Sequence, residues 1–504
     1  MRFDHSRDCA HLAWRLIYFQ RYEEFTIRIT SDGVIDILRL QKIREALTLR
    51  PFDVSNPDGR SRERYRKVLL TAITGPITSS CSFLTFLITV PLTVRYLGPE
   101  RYGAWMSLSA LMAFLRFSDL GLGNGLVGAI SQAEGRGDRL YAQRAISSVM
   151  VCLCISGAFL LVAFPVSTLF IHWDYVLGLA SLKDRGEIQA AILIFVAAYA
   201  IGIPVNMVQQ VQRSIQQGYI SNLWMTAGSL ISLVGVYFAA THHARIPWLV
   251  VIISGVPLMP ALANGFVLYF VQRPDLRPSL KNFDRDVAKG LLHKGVLFLG
   301  LGIAAALAFD SQNIVIAHIL GPAAVGVYAV VQRLYSTIPI LVGYITMPLW
   351  PAFGEALGRQ EWPWIARALR RGITANAVIA SAFAIVLFLF NGPILLHWTH
   401  GAISAPKWLI AGFSVWAVTS AISSPICMLL NAAHVLWFQL VTSVIFGLMT
   451  ITTTILFLPS MGLAAAVWSM VCVYLCTQLG PYLFYLRVVF FKSIRSQSES
   501  RPYQ

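Results

Sequence analysis

Apolar and polar positions fall in long blocks along this chain. From Leu69 onward, twelve stretches are almost free of charge, at 69–97, 104–131, 145–171, 188–211, 223–241, 247–271, 295–320, 324–352, 373–398, 406–432, 435–458 and 460–489. A helix needs about 20 apolar residues to cross a hydrocarbon core of ~30 Å, and most of these blocks meet or exceed that length. Short polar segments rich in Arg, Lys, Gly and Pro separate them. The pattern predicts an all-α polytopic membrane protein with twelve transmembrane helices.

Residues 1–67 break the pattern. They hold 14 Lys/Arg and 10 Asp/Glu and no long apolar run. Val34, Ile35, Leu38, Ile43 and Leu47 recur at helical spacing, as in an interfacial amphipathic helix, but a solvated basic extension is the simpler reading. No short signal peptide with a small-residue cleavage site stands at the N-terminus. Composition supports the membrane reading: 56% of the 504 residues are hydrophobic and only 13% charged, against about 25% charged in soluble domains.

The net charge of +16 does not point to nucleic acid, because the basic residues lie between hydrophobic blocks. That is the distribution the positive-inside rule expects. With the N-terminus inside, the inner loops carry fourteen Lys/Arg and the outer loops six, which predicts both termini on the cytoplasmic side. No outer loop offers room for a catalytic domain, and no G-x-x-x-x-G-K-[ST] phosphate loop occurs, so neither an enzyme nor an ATP-driven pump is expected. Six of the seven cysteines lie in apolar runs and are read as inert thiols. The histidines at 242, 243, 397 and 400 read as loop residues. No metal or cofactor is expected.

Short motifs recur. Leu97-Gly98-Pro99 followed by Gly103 returns as Leu320-Gly321-Pro322 followed by Gly326. Ile203-Pro204-Val205-Asn206-Met207 is echoed by Ser424-Pro425-Ile426-Cys427-Met428, and Glu134 by Glu355. The common order and near-constant offset predict two related halves, 68–271 and 295–489, joined by a basic linker at 272–294 and followed by a tail at 490–504. Six spans per half make the repeats parallel, with a substrate site expected between them near the midplane.

Charges inside spans are costly and are functional suspects by default. Arg116 and Asp119 lie three apart on one helical face of span 2. Asp310 in span 7 and Arg333 in span 8 lie 12 and 11 residues from Pro322. At 1.5 Å per residue, both sit roughly 16–18 Å below the outer turn, near mid-membrane. Either pair could be a structural ion pair. As a site, a midplane arginine would suit a phosphate, whose oxygens its planar fork matches.

Gly123, Gly125 and Gly128 spell the G-x-G-x-x-G of a dinucleotide-binding turn. Such a turn must follow a strand in a βαβ unit. Here an apolar span precedes it and the basic stretch EGRGDR follows, so the glycines are expected to let helices approach closely or to allow a bend near Asp119 and Asn124.

The segments RYLGPERYGAW (95–105), SDLGLGNGLVGAISQAEGRGD (118–138), MVQQVQRSIQQGYISN (207–222) and FDSQNIVIAHILGPAAVGVYAVVQRL (309–334) resemble those of polysaccharide and O-antigen flippases, lipid-linked oligosaccharide translocases of the multidrug/oligosaccharidyl-lipid/polysaccharide exporter superfamily. The resemblance covers about 70–490. It implies a MATE-like exporter fold of two six-helix lobes around a central cavity, alternating between inward-open and outward-open states. It implies a polyprenyl-pyrophosphate-linked glycan as substrate, membrane lipids and glycan polymerase or assembly proteins as partners, and proton or sodium coupling. On that resemblance Arg333, Arg116, Asn124 and Gln332 would bind substrate, and Asp310 and Asp119 would balance charge or couple a cation. The competing readings are a cation-coupled multidrug antiporter of the same fold, a membrane enzyme acting on lipid-linked glycans, and a non-transporting scaffold of a glycan assembly complex.

Overall fold

The computed structural model describes residues 51–171, 185–242, 244–398 and 404–490, with side chains omitted at 86–87, 90–117, 185, 188, 310, 322–323, 398 and 489–490. The amphipathic pattern at 34–49 lies outside the described residues. Among those residues every regular element is helical. The first half of the chain supplies α1 (Pro57–Leu115), α2 (Leu122–Arg136), α3 (Arg139–Ser167), α4 (Arg185–Val205), α5 (Met207–Ser214), α6 (Gly218–Thr241) and α7 (Ile246–Gln272). The second half supplies α8 (Arg285–Leu320), α9 (Pro322–Tyr335), α10 (Thr337–Thr346), α11 (Leu349–Gly358), α12 (Trp362–Trp398), α13 (Lys407–Ala432), α14 (Leu436–Met461) and α15 (Ala464–Val488).

Eleven stretches of described helix are long and apolar enough to cross a membrane. The twelfth expected span, 104–131, runs across residues whose side chains are not described. Between the blocks expected at 69–97 and 104–131, Leu97-Gly98-Pro99 does not end a helix: α1 runs unbroken through it. Its counterpart does, with Gly321 at φ 87° ending α8 and Pro322 opening α9. Proline fits the first turn of a helix without loss, because that N–H has no partner there anyway. Inside a helix it forfeits one hydrogen bond, which membrane helices tolerate when neighbours re-satisfy the freed groups. The same tripeptide can therefore end a helix or be carried through one.

Local chemistry sets the other boundaries. In EGRGD, Gly137 adopts φ 72° and ends α2, while the Asp138 carboxylate accepts from the Tyr141 N–H at 2.9 Å and starts α3. Asp284 caps α8 by accepting from Asp286 and Val287 N–H at 3.0 and 3.1 Å. An oxygen-bearing cap of this kind satisfies donors that the first helical turn leaves free.

Within the first half α1 packs along α6, α3 along α4, and α2 against α3 and α5. Within the second half α8 packs along α14, α12 along α13, and α15 against α13 and α14. Each half has its own buried cluster, centred on Leu126, Ile130, Ile146 and Val211 in one and on Tyr328, Ile338, Phe413 and Val467 in the other. Large apolar side chains such as Phe159, Phe170, Leu389, Leu456 and Phe484 cover the outside. A surface of that kind is what a lipid-facing protein presents.

The halves meet where α2 packs on α8 and α11, and where α1 meets α10. The α2–α11 seam is made of small residues. Gly354 faces Ser131, and Gly358 lies directly against Gly135, where an added Cβ would stand 2.9 Å from the Gly358 Cα. Glycines thus bring two backbones together without a polar partner. Gly128 and Gly123 instead make room for side chains: a Cβ on them would come within 2.5 Å of the His434 ring and 3.2 Å of the Gln210 side chain.

Candidate functional site

At the same end of the bundle a charged cluster ties the halves together. Arg64 of α1 is buried, 2% exposed, and its guanidinium donates to Glu361 and, at 3.1 Å, to Glu355. Glu355 also accepts from Gln216 and from Arg359 at 3.0 Å, and Arg60 reaches Glu361 at 3.2 Å. Arg64, on the part of α1 that precedes residue 68, and the first-half Gln216 thus converge on the second-half Glu355, the residue whose repeat partner is Glu134. Glu134 binds Arg273 at 2.6 Å, and Arg273 binds Asp275 at 2.8 Å, which holds the Asp275 carboxyl below its usual range.

Immediately next to this cluster lies a cavity of about 390 Å³ walled by both halves. Lys67, Thr71 and Thr78 of α1, Asn124 of α2, Gln210 and Arg213 of α5, and Asn222 of α6 face Tyr344, Met347 and Trp350 across it. A polar ladder along α1 and α6 forms one wall. Asn222 donates to the Thr74 hydroxyl at 3.0 Å, Thr226 donates to Thr78 at 2.9 Å, and Ser82 meets Ser229 at 3.2 Å. The threonines also return hydrogen bonds to carbonyls four residues back. Polar groups can thus line an apolar environment with their partners in place.

Among the described residues two cations, Lys67 and Arg213, line the cavity, and no carboxylate does. The nearest acids are already engaged: Glu63 by Arg66 at 2.6 Å, and Glu355 as above. The Arg213 guanidinium makes no hydrogen bond or ion pair with a described residue. A cation in a membrane-spanning segment without a counter-ion is expensive, and such residues mark ion or substrate paths. The arrangement can bind an anion, which would supply the missing charge.

A second cavity, about 460 Å³, lies wholly within the first half between α4, α5, α6 and α7. Asp119 lines it, with one carboxylate oxygen held by the Gly121 N–H at 3.0 Å. A third, about 290 Å³, lies within the second half and is lined by Gln332, Tyr335, Ser420 and an aromatic wall that includes Phe309 and Trp416.

The sequence-derived candidates are therefore dispersed. Asn124 reaches the inter-half cavity, Asp119 the first-half cavity and Gln332 the second-half cavity. Arg333 is exposed on α9, lines none of the three cavities, and forms no ion pair with a described residue. The side chains of Arg116 and Asp310 lie outside those described. Arg213 and Lys67 escaped the sequence reading because both sit near span ends, where charge counting treats a cation as a loop residue. The signal was the three-residue spacing of Gln210 and Arg213, which puts both on one face of α5.

Comparison with solved structures identifies the fold of this two-half helical bundle. The chain superposes on an outward-facing multidrug resistance MATE family transporter of the MOP superfamily with a TM-score of 0.68 at 16% identity, covering 86% of this chain and 97% of that one. A MOP superfamily transporter from Pyrococcus furiosus, described as having a binding pocket of reversed polarity, matches with a TM-score of 0.66 at 16% identity over 83% of this chain and 94% of that one. At such identity these likenesses establish the fold.

The family follows from sequence. A model of the family described as polysaccharide biosynthesis protein matches residues 75–357, more than half of the chain, and the chain belongs to that family. A putative O-antigen export protein of Yersinia pseudotuberculosis is 22% identical over 60% of this chain and 69% of its own length. A putative O-antigen transporter of Salmonella typhi is 22% identical over 60% of this chain and 67% of its own.

Proposed function

We propose that this protein carries a polyprenyl-pyrophosphate-linked oligosaccharide from the inner to the outer leaflet of a bacterial cytoplasmic membrane, by alternating access between lobes 68–271 and 295–489, with both termini in the cytoplasm. The observation that supports this reading is that, among the described residues, the Arg213 guanidinium has no counter-ion and no carboxylate lines the cavity that it shares with Lys67 and that both halves build. A pyrophosphate brings the charge that this cavity lacks, and Arg213 can offer it a planar fork of donors. The apolar outer surface leaves the prenyl chain in the bilayer while the headgroup crosses. A cation-coupled exporter of cationic drugs would want carboxylates in this position, which makes that alternative the weaker one.

On this reading the Arg64–Glu355–Glu361 cluster and the α2–α11 seam close one side of the cavity. They must part for the cavity to open toward that side. Asp119 and Asp310 are proposed to balance charge or couple a cation, and Arg333 and Arg116 to contribute to headgroup binding in other states. Binding of farnesyl pyrophosphate to nanodisc-embedded protein tests the phosphate site. Arg213→Gln should weaken it about 10- to 150-fold, the loss of one charge-assisted hydrogen-bonding group, whereas Arg333→Ala tests the exposed arginine separately. Equal affinity in Arg213→Gln and wild type would remove the phosphate from this cavity.

A further inference from the structure

The cavity inside the first half has a chemistry unlike that of its cationic neighbour. Its polar lining is dominated by amides and hydroxyls: Asn206, Gln209, Gln210, Ser221 and Ser254. Trp224 adds an amphipathic aromatic wall. Three of these polar atoms, the Gln210 Oε1, the Ser221 Oγ and the Ser254 Oγ, are buried with no hydrogen-bond partner. Among the described residues these three groups have no partner, so they keep hydrogen-bonding capacity for a guest that both donates and accepts. The Asn206 and Gln209 amides, by contrast, are fixed against each other at 3.2 Å. The volume of about 460 Å³ falls within the range of small-molecule sites.

Gln210 is the link, since it lines this cavity and the inter-half cavity alike. It stands one α5 turn from Arg213, so a guest can be bound by its phosphate on one side of Gln210 and by its next group on the other. We infer that the first-half cavity is a glycan subsite, which takes the sugar ring adjoining the phosphate through hydroxyl-to-amide and hydroxyl-to-hydroxyl hydrogen bonds, with Trp224 against an apolar ring face. This inference rests on the phosphate reading of Arg213 and adds where the sugar goes and which residues distinguish one sugar from another. The subsite is built from uncharged groups apart from Asp119, whose carboxylate can accept from sugar hydroxyls.

The test compares farnesyl pyrophosphate with the same lipid pyrophosphate bearing a single hexose or a single N-acetylhexosamine, bound to the whole protein in nanodiscs. At least one sugar-bearing probe should bind wild type more tightly than the bare probe. The double variant Ser221→Ala/Ser254→Ala removes two unsatisfied hydroxyls without crowding the site, so its fold is expected to be retained. It should abolish about tenfold of the advantage conferred by the sugar and leave the bare probe unaffected. Arg213→Gln should weaken all probes alike. If no sugar-bearing probe outbinds the bare one, or if the double variant keeps the full advantage, the cavity holds water only and the subsite is overturned. If Arg213→Gln changes nothing while the double variant still erases the advantage of the sugar, the subsite stands and the phosphate reading falls.

Discussion

Replacing Glu355 by alanine should loosen the joint between the two halves without dismantling either. Glu355 receives Arg64 at 3.1 Å and Gln216 from the first half, and Arg359 at 3.0 Å from its own helix. Removing one partner of a buried ion pair typically costs about 3–5 kcal/mol, because the other charge is left uncompensated. Here Glu361 still holds Arg64, so Arg64 keeps a counter-charge. The loss is then closer to that of the charge-assisted bond from Gln216 together with a partial loss at Arg64, about 2–3 kcal/mol. If the joint exists in only one of two states, that loss shifts their ratio by about 30- to 150-fold. Ser131 reports the shift: it is fully buried in the seam against Gly354. In a cysteine-free background, Ser131→Cys should react with a maleimide about 30- to 150-fold faster when Glu355 is also alanine. Unchanged labelling in a protein that still melts cooperatively would mean that the cluster does not hold the seam shut, and the gating argument would fail.

Other predictions follow from packing and charge. Gly135→Ala places a methyl group against the backbone of Glu355 and Gly358; this overpacking should cost about 1–3 kcal/mol and speed the same Ser131→Cys labelling. Gly137→Ala, in open space but at φ 72°, should lower the melting temperature slightly and leave labelling alone. His434 lies between α13 and α14, where burial, with Lys294 and Arg136 nearby, pushes its imidazole down to about 4. Its folded value is below the unfolded ~6.5, so the unfolded state takes the proton first, and stability present above pH ~6.5 should fall by about 3 kcal/mol as pH drops toward 4. His434→Gln should flatten that part of a stability-versus-pH curve. Asn264→Leu breaks the reciprocal amide pair with Gln212, bonded at 2.7 and 2.9 Å, and leaves a buried amide unpaired; a loss of about 1–3 kcal/mol should appear in thermal unfolding.

Hydropathy made the bundle legible because the bilayer imposes a length and composition that a one-dimensional scan can read. It could not read breaks inside a span. The block at 188–211 is two helices split at Asn206, and the block at 324–352 is three, split at Ser336 and again near Pro348. A short break leaves the window average unchanged. Counting residues along a span gives a position but no direction: Arg333 was counted to mid-span, and the rotation of α9, which is set by packing against neighbours, exposes it. Arg213 shows the reverse. Counted as a loop cation by the charge rule, it lines the cavity because α5 continues the span past Asn206. The glycines at 123, 125 and 128 were read as close-approach residues, since the absence of a βαβ context could be seen without a structure, and each has a neighbour where a side chain would stand.

Headgroup translocation in proteoliposomes tests the central claim most directly. Vesicles carrying a lipid-pyrophosphate oligosaccharide in both leaflets are exposed to an external glycan-modifying enzyme, and the rate at which the inner pool becomes accessible is followed for wild type and Arg213→Gln. Rapid access in wild type and a loss of about tenfold or more in the variant is the predicted result. Equal rates in the two proteins, or no translocation by wild type of any glycan lipid supplied, would contradict the account.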